Sequence, residues 1–343
     1  MKKLLLLVLL SFSNTSFGFD SYPAFSLLGE DYKGDPSTNT EIKNMPPILS
    51  QDGLNICYGF AAVTLYQQFQ CRELKTDCSK IPASQTPSPL YMASLGADAK
   101  SKRGASEDPD EIPTSPAGNS ERSLVGFANG GGGYADSCYP FDQFVANHKN
   151  SMSETNKAFE NLRATINKSK TEGGVCADCL VKQLNDDFGL RTDNQAVLKA
   201  VASGSFEKFL FDIFLKNCQT MAPMTPGFQV HTWPNETADY KPPTYKQMMS
   251  KMQEILSSKR AFSVGLCLDE KKPLDGSCKK PHDTVISGYQ MFCKPDHTCR
   301  EALKITNSWG QDWQDENHGG WVDAQTFFEY VDKGPKNLTW LTK

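Results

Sequence analysis

Long apolar runs are almost absent from this sequence, and positive charge is not in excess. The longest run near the start, residues 4–10, has seven apolar residues, whereas a helix that spans a bilayer needs about 20. The chain has 36 lysines and arginines against 40 aspartates and glutamates, and its formal net charge is −4. We therefore expect no membrane span and no nucleic-acid partner of the usual basic kind.

The composition is that of an ordinary globular protein. Of the 343 residues, 38% are hydrophobic and 22% are charged, which excludes collagen-like, coiled-coil and wholly disordered chains. This length allows two or three domains, or one large domain with insertions. Such a chain buries a sizeable core without help from disulfides.

The start of the chain has the features of a secretory signal peptide. Lys2 and Lys3 precede the apolar run, and the small residues Ser16 and Gly18 stand at positions −3 and −1 of a cleavage after Gly18. These features predict a signal peptide over residues 1–18. We therefore expect an exported protein, periplasmic or secreted, whose formal charge changes from −4 to −6 when the two lysines are removed.

The cysteine count is odd, at 11. Export would place these residues in an oxidising compartment, where disulfides persist. A cysteine left over in a secreted protein is either an intermolecular link or a reactive thiol. Short spacing across polar loops suggests three pairs: Cys71 with Cys78, Cys267 with Cys278, and Cys293 with Cys299.

Four further cysteines, Cys138, Cys176, Cys179 and Cys218, can pair in three ways, and their spacing leaves the choice open. Cys176 and Cys179 form a Cys-x-x-Cys pair, which is typical of a redox site or of half a zinc site. No second Cys-x-x-Cys and no His-x-x-x-His accompanies it. We therefore predict no metal site and no cofactor, and Cys57 remains as the unpaired cysteine.

Cys57 opens a segment that reads as a buried helix. No charged residue lies between Gly53 and Cys71, and a helix without a charged face is buried in a core. Gly53 and Asn55 are turn formers, so Cys57 falls at the helix N-terminus, where the dipole lowers the pKa of a thiol. The alternative is that Cys57 is a small buried hydrophobe, as lone cysteines often are.

Four elements, in order along the chain, resemble the papain-like (C1 family) cysteine peptidases. They are a glutamine six residues before a cysteine, an aromatic residue after that cysteine, a histidine opening a strand that runs into Gly-Tyr, and an Asn-Ser-Trp-Gly tetrapeptide. In this chain they are Gln51, Cys57-Tyr58, His282 with Gly288-Tyr289, and Asn307-Ser308-Trp309-Gly310. Each is a weak signal alone, and together they favour a bacterial-type exported member of this family.

The resemblance implies a role for each matching residue. Cys57 would be the nucleophile, as a thiolate paired with the imidazolium of His282. Asn307 would orient His282, and Trp309 would cover the hydrogen bond between them. The Gln51 amide and the Cys57 backbone N–H would form the oxyanion hole.

The chain departs from the family pattern in three places. The stretch before Cys57 lacks the family's first cysteine. Gly118-Asn119 is a weak match for the family's substrate-binding Gly-Gly pair, because Asn119 stands where the family has the second glycine. Cys57 and His282 are 225 residues apart, against roughly 130–150 in compact members. The extra residues between them show helical periodicity and predict an insertion.

The resemblance implies an α+β, two-lobed papain-like fold. We predict a short N-terminal segment or propeptide over residues 19–45 and a helical left lobe with the Cys57 helix over 46–145. A helical insertion and linker would follow over 146–244, and an antiparallel β-barrel-like right lobe over 245–343 would carry His282 and Asn307. The site would lie in the cleft between the lobes.

The predicted function is hydrolysis of peptide bonds by an exported cysteine peptidase. Its partners would be protein or peptide substrates, and a proteinaceous inhibitor is a further candidate. Two alternatives use the same scaffold: an acyl-transferring transpeptidase or crosslinking enzyme on the same triad, and a catalytically silent papain-like binding protein. The second is disfavoured because Gln51, Cys57, His282 and Asn307 are all present.

Overall fold

The fold combines helices with one antiparallel sheet. The computed structural model describes residues 31–51, 54, 56–97, 118–140, 143, 152–171, 174–202, 206–235, 237, 239–268, 278, 281–332, 334 and 336–343. Within these ranges the α-helices are α1 (Cys57–Leu74), α2 (Pro89–Gly96), α3 (Ser120–Asn129), α4 (Met152–Thr171), α5 (Ala177–Phe188), α6 (Asn194–Val201), α7 (Phe206–Phe214), α8 (Tyr245–Ser257), α9 (Gly310–Glu316) and α10 (Ala324–Tyr330). The predicted signal peptide lies outside the described residues.

The strands belong mainly to the C-terminal third of the chain. They are β1 (Lys33–Gly34), β2 (Gly132–Tyr134), β3 (Met221–Pro223), β4 (Gln229–Trp233), β5 (Phe262–Cys267), β6 (Pro281–Cys293), β7 (Cys299–Thr306), β8 (Trp321–Asp323) and β9 (Leu338–Thr342). The main sheet has the order β4-β9-β5-β6-β7-β8, with β1 paired to β6, and β2 and β3 form a separate pair. The predicted α+β class, with a helical part and an antiparallel sheet, is confirmed.

Helix α1 is buried on all sides for most of its length. Every residue from Cys57 to Cys71 is buried, as the absence of charge in this segment predicts. The helix ends at Leu74. The next residue, Lys75, has a left-handed φ of 52°, and its N–H donates to the carbonyls of Cys71 and Arg72 in the last turn. Helices α2 and α3 pack on one side of α1, and strand β6 packs on another.

Two hydrophobic clusters meet at α1. The first joins the part of α1 from Ala61 to Phe69 to the main sheet and to α8. The second joins the N-terminal end of α1 to helices α4–α7, which we call the insertion helices. From α1 and the residues before it, the second cluster takes Leu54, Ile56, Cys57, Tyr58 and Phe60. The insertion helices are therefore part of the protein interior around Cys57, and not a separate appendage.

Two opposite charges, the half-buried Arg163 of α4 and the buried Glu207 of α7, lie within the insertion helices. Arg163 of α4 donates a hydrogen bond to the Leu54 carbonyl at 3.5 Å, and its guanidinium lies 4.6 Å from the centroid of the Phe206 ring. Burial lowers the pKa of Arg163, and the charge of the buried Glu207 opposes that shift. The insertion helices thus contact the segment before Cys57 through polar as well as apolar groups.

Five disulfides join ten of the 11 cysteines, and all 11 lie in the described part of the chain. Three of the bonds are the short-spaced pairs named above. The four cysteines whose pairing was open form Cys138–Cys218 and Cys176–Cys179. Cys57 is the free cysteine, and it is buried.

In the ranges that the structure describes, none of the helices has the length and apolar character that a membrane crossing requires.

Candidate active site

The cysteine thiol lies at the junction of α1 and the sheet. Cys57 is the first residue of α1, and Ile56, the residue at the cap position, makes no side-chain cap. The backbone N–H of Asp283, on β6, donates to the Cys57 sulfur at 3.3 Å. Cys57 is only 7% exposed. The sulfur therefore faces the strand that carries the predicted histidine.

His282 and Asn307 form the hydrogen bond that the resemblance implies. His282 is the second residue of β6, and Asn307 directly follows β7, the neighbouring strand. The His282 Nε2 and the Asn307 Oδ1 are 3.0 Å apart. The ring of Trp309 lies 4.5 Å from that of His282, centroid to centroid. All three residues are less than 9% exposed, so this hydrogen bond is shielded from water.

The hydrogen bonds around Asn307 define the tautomer of His282. The Asn307 Oδ1 also accepts the backbone N–H of Ser308 at 2.9 Å, which fixes the side-chain amide with its oxygen toward the imidazole. A carbonyl oxygen only accepts. The proton of a neutral His282 is therefore on Nε2, and Nδ1 is the nitrogen that can accept a proton from a thiol.

Gln51 is held by the Asn-Ser-Trp-Gly segment. Its backbone N–H donates to the Ser308 carbonyl at 2.7 Å, and the Ser308 hydroxyl donates to its side-chain Oε1 at 2.5 Å. Because Oε1 is occupied as an acceptor, the amide orientation is fixed and Nε2 keeps its two donor hydrogens. A buried amide held in this way is a preorganised donor for an oxyanion.

Burial favours the neutral forms of both proposed catalytic groups. It raises the pKa of Cys57 to about 12, with a further contribution from the negative charge of Asp283. It lowers the pKa of His282 to about 4, partly opposed by the Asn307 hydrogen bond. Both shifts oppose the lowered thiol pKa that the position of Cys57 at the helix N-terminus predicts. The thiolate–imidazolium pair stays a prediction.

Gly118 and Asn119, the predicted substrate-binding residues, lie beside Tyr58. A Cβ on Gly118 would come within 2.1 Å of the Tyr58 ring, so only glycine fits there. The Asn119 side-chain oxygen caps α3 by accepting the backbone N–H groups of Glu121 and Arg122. The structure thus brings this segment next to Tyr58, the residue that follows Cys57, while the Asn119 oxygen is used within its own helix. Contact of either residue with substrate stays a prediction.

Two polar residues at the site were not predicted from the sequence. Ser308 orients Gln51, and its place inside the Asn-Ser-Trp-Gly tetrapeptide was the available signal. The backbone N–H of Asp283 contacts the Cys57 sulfur, and its position directly after His282 was the corresponding signal. No group of three or more histidine, cysteine, aspartate or glutamate side chains within the described ranges is placed to hold a metal ion.

Comparison with known proteins gives matches by structure only. No family model matches the chain, and no curated protein matches it by sequence. The SERA5 proenzyme from Plasmodium falciparum is 12% identical at a TM-score of 0.42, over 86% of this chain and 62% of that one. The chain thus spans less than two thirds of that proenzyme.

Two bromelain structures match to a similar degree. The recombinant stem bromelain precursor is 11% identical at a TM-score of 0.40, over 89% of this chain and 70% of that one. The bromelain protease from Ananas comosus in complex with the E64 inhibitor is 9% identical at 0.39, over 89% and 98%. Likeness at this level carries no functional argument, so the case for a function rests on the geometry of the site.

Proposed function

We propose that this protein is a cysteine peptidase with Cys57 as its nucleophile. The observation that carries the proposal is the placement of the free cysteine against the strand of His282, which is bonded to Asn307. The Cys57 sulfur contacts the residue that follows His282, and all three side chains are buried. A thiol, a base and an orienting amide are the groups that nucleophilic catalysis by cysteine requires.

In the proposed reaction, His282 Nδ1 takes the proton of the Cys57 thiol, and the sulfur attacks the substrate carbonyl carbon. The negative charge that develops on the carbonyl oxygen is stabilised by the Gln51 amide and the Cys57 backbone N–H. The C–N bond breaks, and His282 returns the proton to the leaving amine. Water then cleaves the thioester, with His282 as the base.

We propose further that the protein is exported and belongs to the papain-like C1 family in its bacterial-type form. Five disulfides within one chain support an oxidising compartment. The signal-peptide pattern of residues 1–18 supports export by the secretory route. The order of Gln51, Cys57, His282 and Asn307 along the chain supports the family assignment.

The proposal is tested by active-site labelling. Folded protein is treated with a thiol-directed epoxide peptide, and the adduct is located by mass spectrometry. We expect one adduct, on Cys57, with its rate reduced at least tenfold in His282→Ala. The matched control is His231→Ala, since His231 lies on β4 and bonds Thr342. Absence of labelling, or labelling that His282→Ala leaves unchanged, would overturn the proposed dyad.

The products of turnover separate hydrolysis from acyl transfer. A fluorogenic peptide is incubated with the protein with and without a primary amine acceptor, and the products are weighed by mass spectrometry. Hydrolysis gives a free carboxylate and is the expected result. An amide to the added amine as main product would reassign the same residues to a transpeptidase. Labelling of Cys57 without any turnover would indicate a binding protein.

A further inference from the structure

The Cys176–Cys179 disulfide is the most accessible of the five disulfides. Both of its cysteines are exposed, whereas each of the other four bonds has at least one cysteine that is half-buried or buried. An exposed disulfide is open to attack by an external thiolate, and its reduction potential is more oxidising than that of a buried structural bond. Access therefore distinguishes this bond from the other four.

The same bond lies at the N-terminus of a helix. Cys176 is the residue that precedes α5, and its sulfur accepts the backbone N–H of Cys179, in the first turn, at 3.3 Å. A helix N-terminus and a donated N–H both stabilise a negative charge on sulfur. When the S–S bond breaks, the Cys176 sulfur therefore holds the charge best, which makes it the better leaving group of the two.

The fold does not depend on this bond to keep the two sulfurs close together. Cys176 and Cys179 are three positions apart at the start of one helix. That helix is anchored by Leu180, Leu184 and Phe188, which are buried in the second hydrophobic cluster. A bond that closes so short a loop restricts the unfolded chain little. The bond can therefore open and close while α5 stays folded.

A purely structural role is the alternative, and Cys293–Cys299 shows the surroundings that go with it. These cysteines are also close in sequence, six positions apart, and they face each other at the end of the β6–β7 hairpin. The Cys299 sulfur lies 3.4 Å from the His297 carbonyl oxygen, which only accepts hydrogen bonds and so favours a thiol over a thiolate. The Cys176 sulfur faces an N–H donor instead, as a redox-active sulfur requires.

We propose that Cys176 and Cys179 form a redox-active pair that exchanges with low-molecular-weight thiols. An external thiolate attacks the Cys179 sulfur, the S–S bond breaks, and its electron pair goes to the Cys176 sulfur. A second external thiolate attacks the external sulfur of this mixed disulfide and releases the Cys179 thiolate. The protein disulfide is thereby reduced, and two external thiols are oxidised to one disulfide, with the two protons that they lose available to the two protein thiolates. This site is separate from Cys57, so the inference does not rest on the peptidase proposal.

The first test is a reduction series on the folded full-length protein. The protein is equilibrated in glutathione buffers of increasing ratio of squared thiol to disulfide concentration. Free thiols are alkylated, and each cysteine is quantified by peptide mass spectrometry, so that Cys57 is read separately. We expect Cys176–Cys179 to be half-reduced at a ratio at least about tenfold lower than Cys293–Cys299, the matched control. Reduction of both bonds at the same ratio, or of Cys293–Cys299 first, would overturn the proposal.

Single variants test the part played by the helix N-terminus. Cys179→Ser leaves the Cys176 thiol, and Cys176→Ser leaves the Cys179 thiol. At pH 7 we expect the Cys176 thiol to form a mixed disulfide with glutathione disulfide about tenfold faster than the Cys179 thiol. In urea, where α5 is unfolded, the two rates should become equal, which is the control for differences in local sequence. Equal rates in the folded proteins, or a difference that persists in urea, would overturn activation by the helix and with it the proposal.

Discussion

At the residue scale, His282 is a buried imidazole that its surroundings keep neutral. It is 4% exposed, and burial lowers its pKa to about 4, against an ordinary value near 6.5. In the unfolded chain the imidazole takes up a proton as the pH falls through about 6.5, whereas in the folded chain it does so only near 4. Between those values the unfolded state binds more protons, so the stability falls as the pH falls.

This linkage predicts how His282 affects acid stability. The free energy of unfolding of the wild type, relative to that of His282→Gln, should decrease by about 2 kcal/mol between pH 7 and pH 5. Both proteins are unfolded with urea at pH 7, 6 and 5 with their disulfides intact. The other titratable groups are present in both proteins, so their contributions to the pH dependence cancel in the difference. A difference that stays constant over this range would contradict the shift.

Gln51 and Ser308 give a second prediction at this scale. Gln51→Ala removes the side-chain donor proposed for the oxyanion and should lower kcat about 10²–10³-fold with little change in KM. Ser308→Ala removes the hydroxyl that holds Oε1 and leaves the amide in place, so the loss should be about tenfold. Steady-state kinetics on one fluorogenic peptide measures both. Equal losses in the two variants would show that Ser308 does more than orient Gln51.

The identity of these residues could be predicted from the sequence, and their charge states could not. Gln51, Cys57, His282 and Asn307 occur in motifs whose spacing is visible in the chain. The raised pKa of Cys57 depends on desolvation by residues such as Tyr58 and on the nearby charge of Asp283. Desolvation is a property of the packed interior, and sequence spacing carries no measure of it.

At the element scale, α1 and α2 pack closely because of a glycine. Gly59 is the third residue of α1, and a Cβ there would lie 2.8 Å from the Pro89 carbonyl oxygen and 3.0 Å from the Ala93 Cβ. Both neighbours are backbone or Cβ atoms of α2, which cannot move without shifting the helix. Gly59 therefore sets the distance between the two helices.

Gly59→Ala should destabilise the protein. Overpacking against α2 costs about 1–3 kcal/mol, and it outweighs the gain of up to about 1 kcal/mol from better helix propensity. The matched control is Gly126→Ala in α3, where the nearest atoms belong to the Leu95 side chain. The urea midpoint of Gly59→Ala should fall below that of Gly126→Ala. The reverse order would show that α2 yields more readily than the Leu95 side chain.

The buried character of α1 could be predicted from its lack of charge, but the partners of its N-terminal end could not. The sequence periodicity of amphipathic helices such as α5 and α7 predicts an apolar face but does not specify which residues cover it. Here those faces belong to the same buried cluster as Tyr58 and Phe60 of α1. Periodicity is a property of one segment, whereas this cluster joins segments more than 100 residues apart.

At the scale of the whole molecule, one disulfide joins the two ends of the segment that contains the insertion helices. Cys138 and Cys218 are 80 residues apart in sequence and enclose α4–α7. Short spacing could not predict this bond, because the two cysteines meet only when the insertion helices fold back on the rest of the chain. Cys176 and Cys179, three positions apart in sequence, form the other bond in this region.

The two bonds should contribute unequally to stability. In the chain-entropy account, a cross-link stabilises the fold by restricting the unfolded chain, and more so for a longer loop. Loss of Cys138–Cys218 in the double variant Cys138→Ser/Cys218→Ser should cost about 4.5 kcal/mol. Loss of Cys176–Cys179 in the matched variant should cost about 1.6 kcal/mol. Urea unfolding of both, with a thiol count of one in each native protein, measures the difference. The insertion helices share a buried cluster with Tyr58, the residue after Cys57, so only the first variant should also slow epoxide labelling of Cys57. Equal effects of the two variants would show that the insertion helices are held by packing alone.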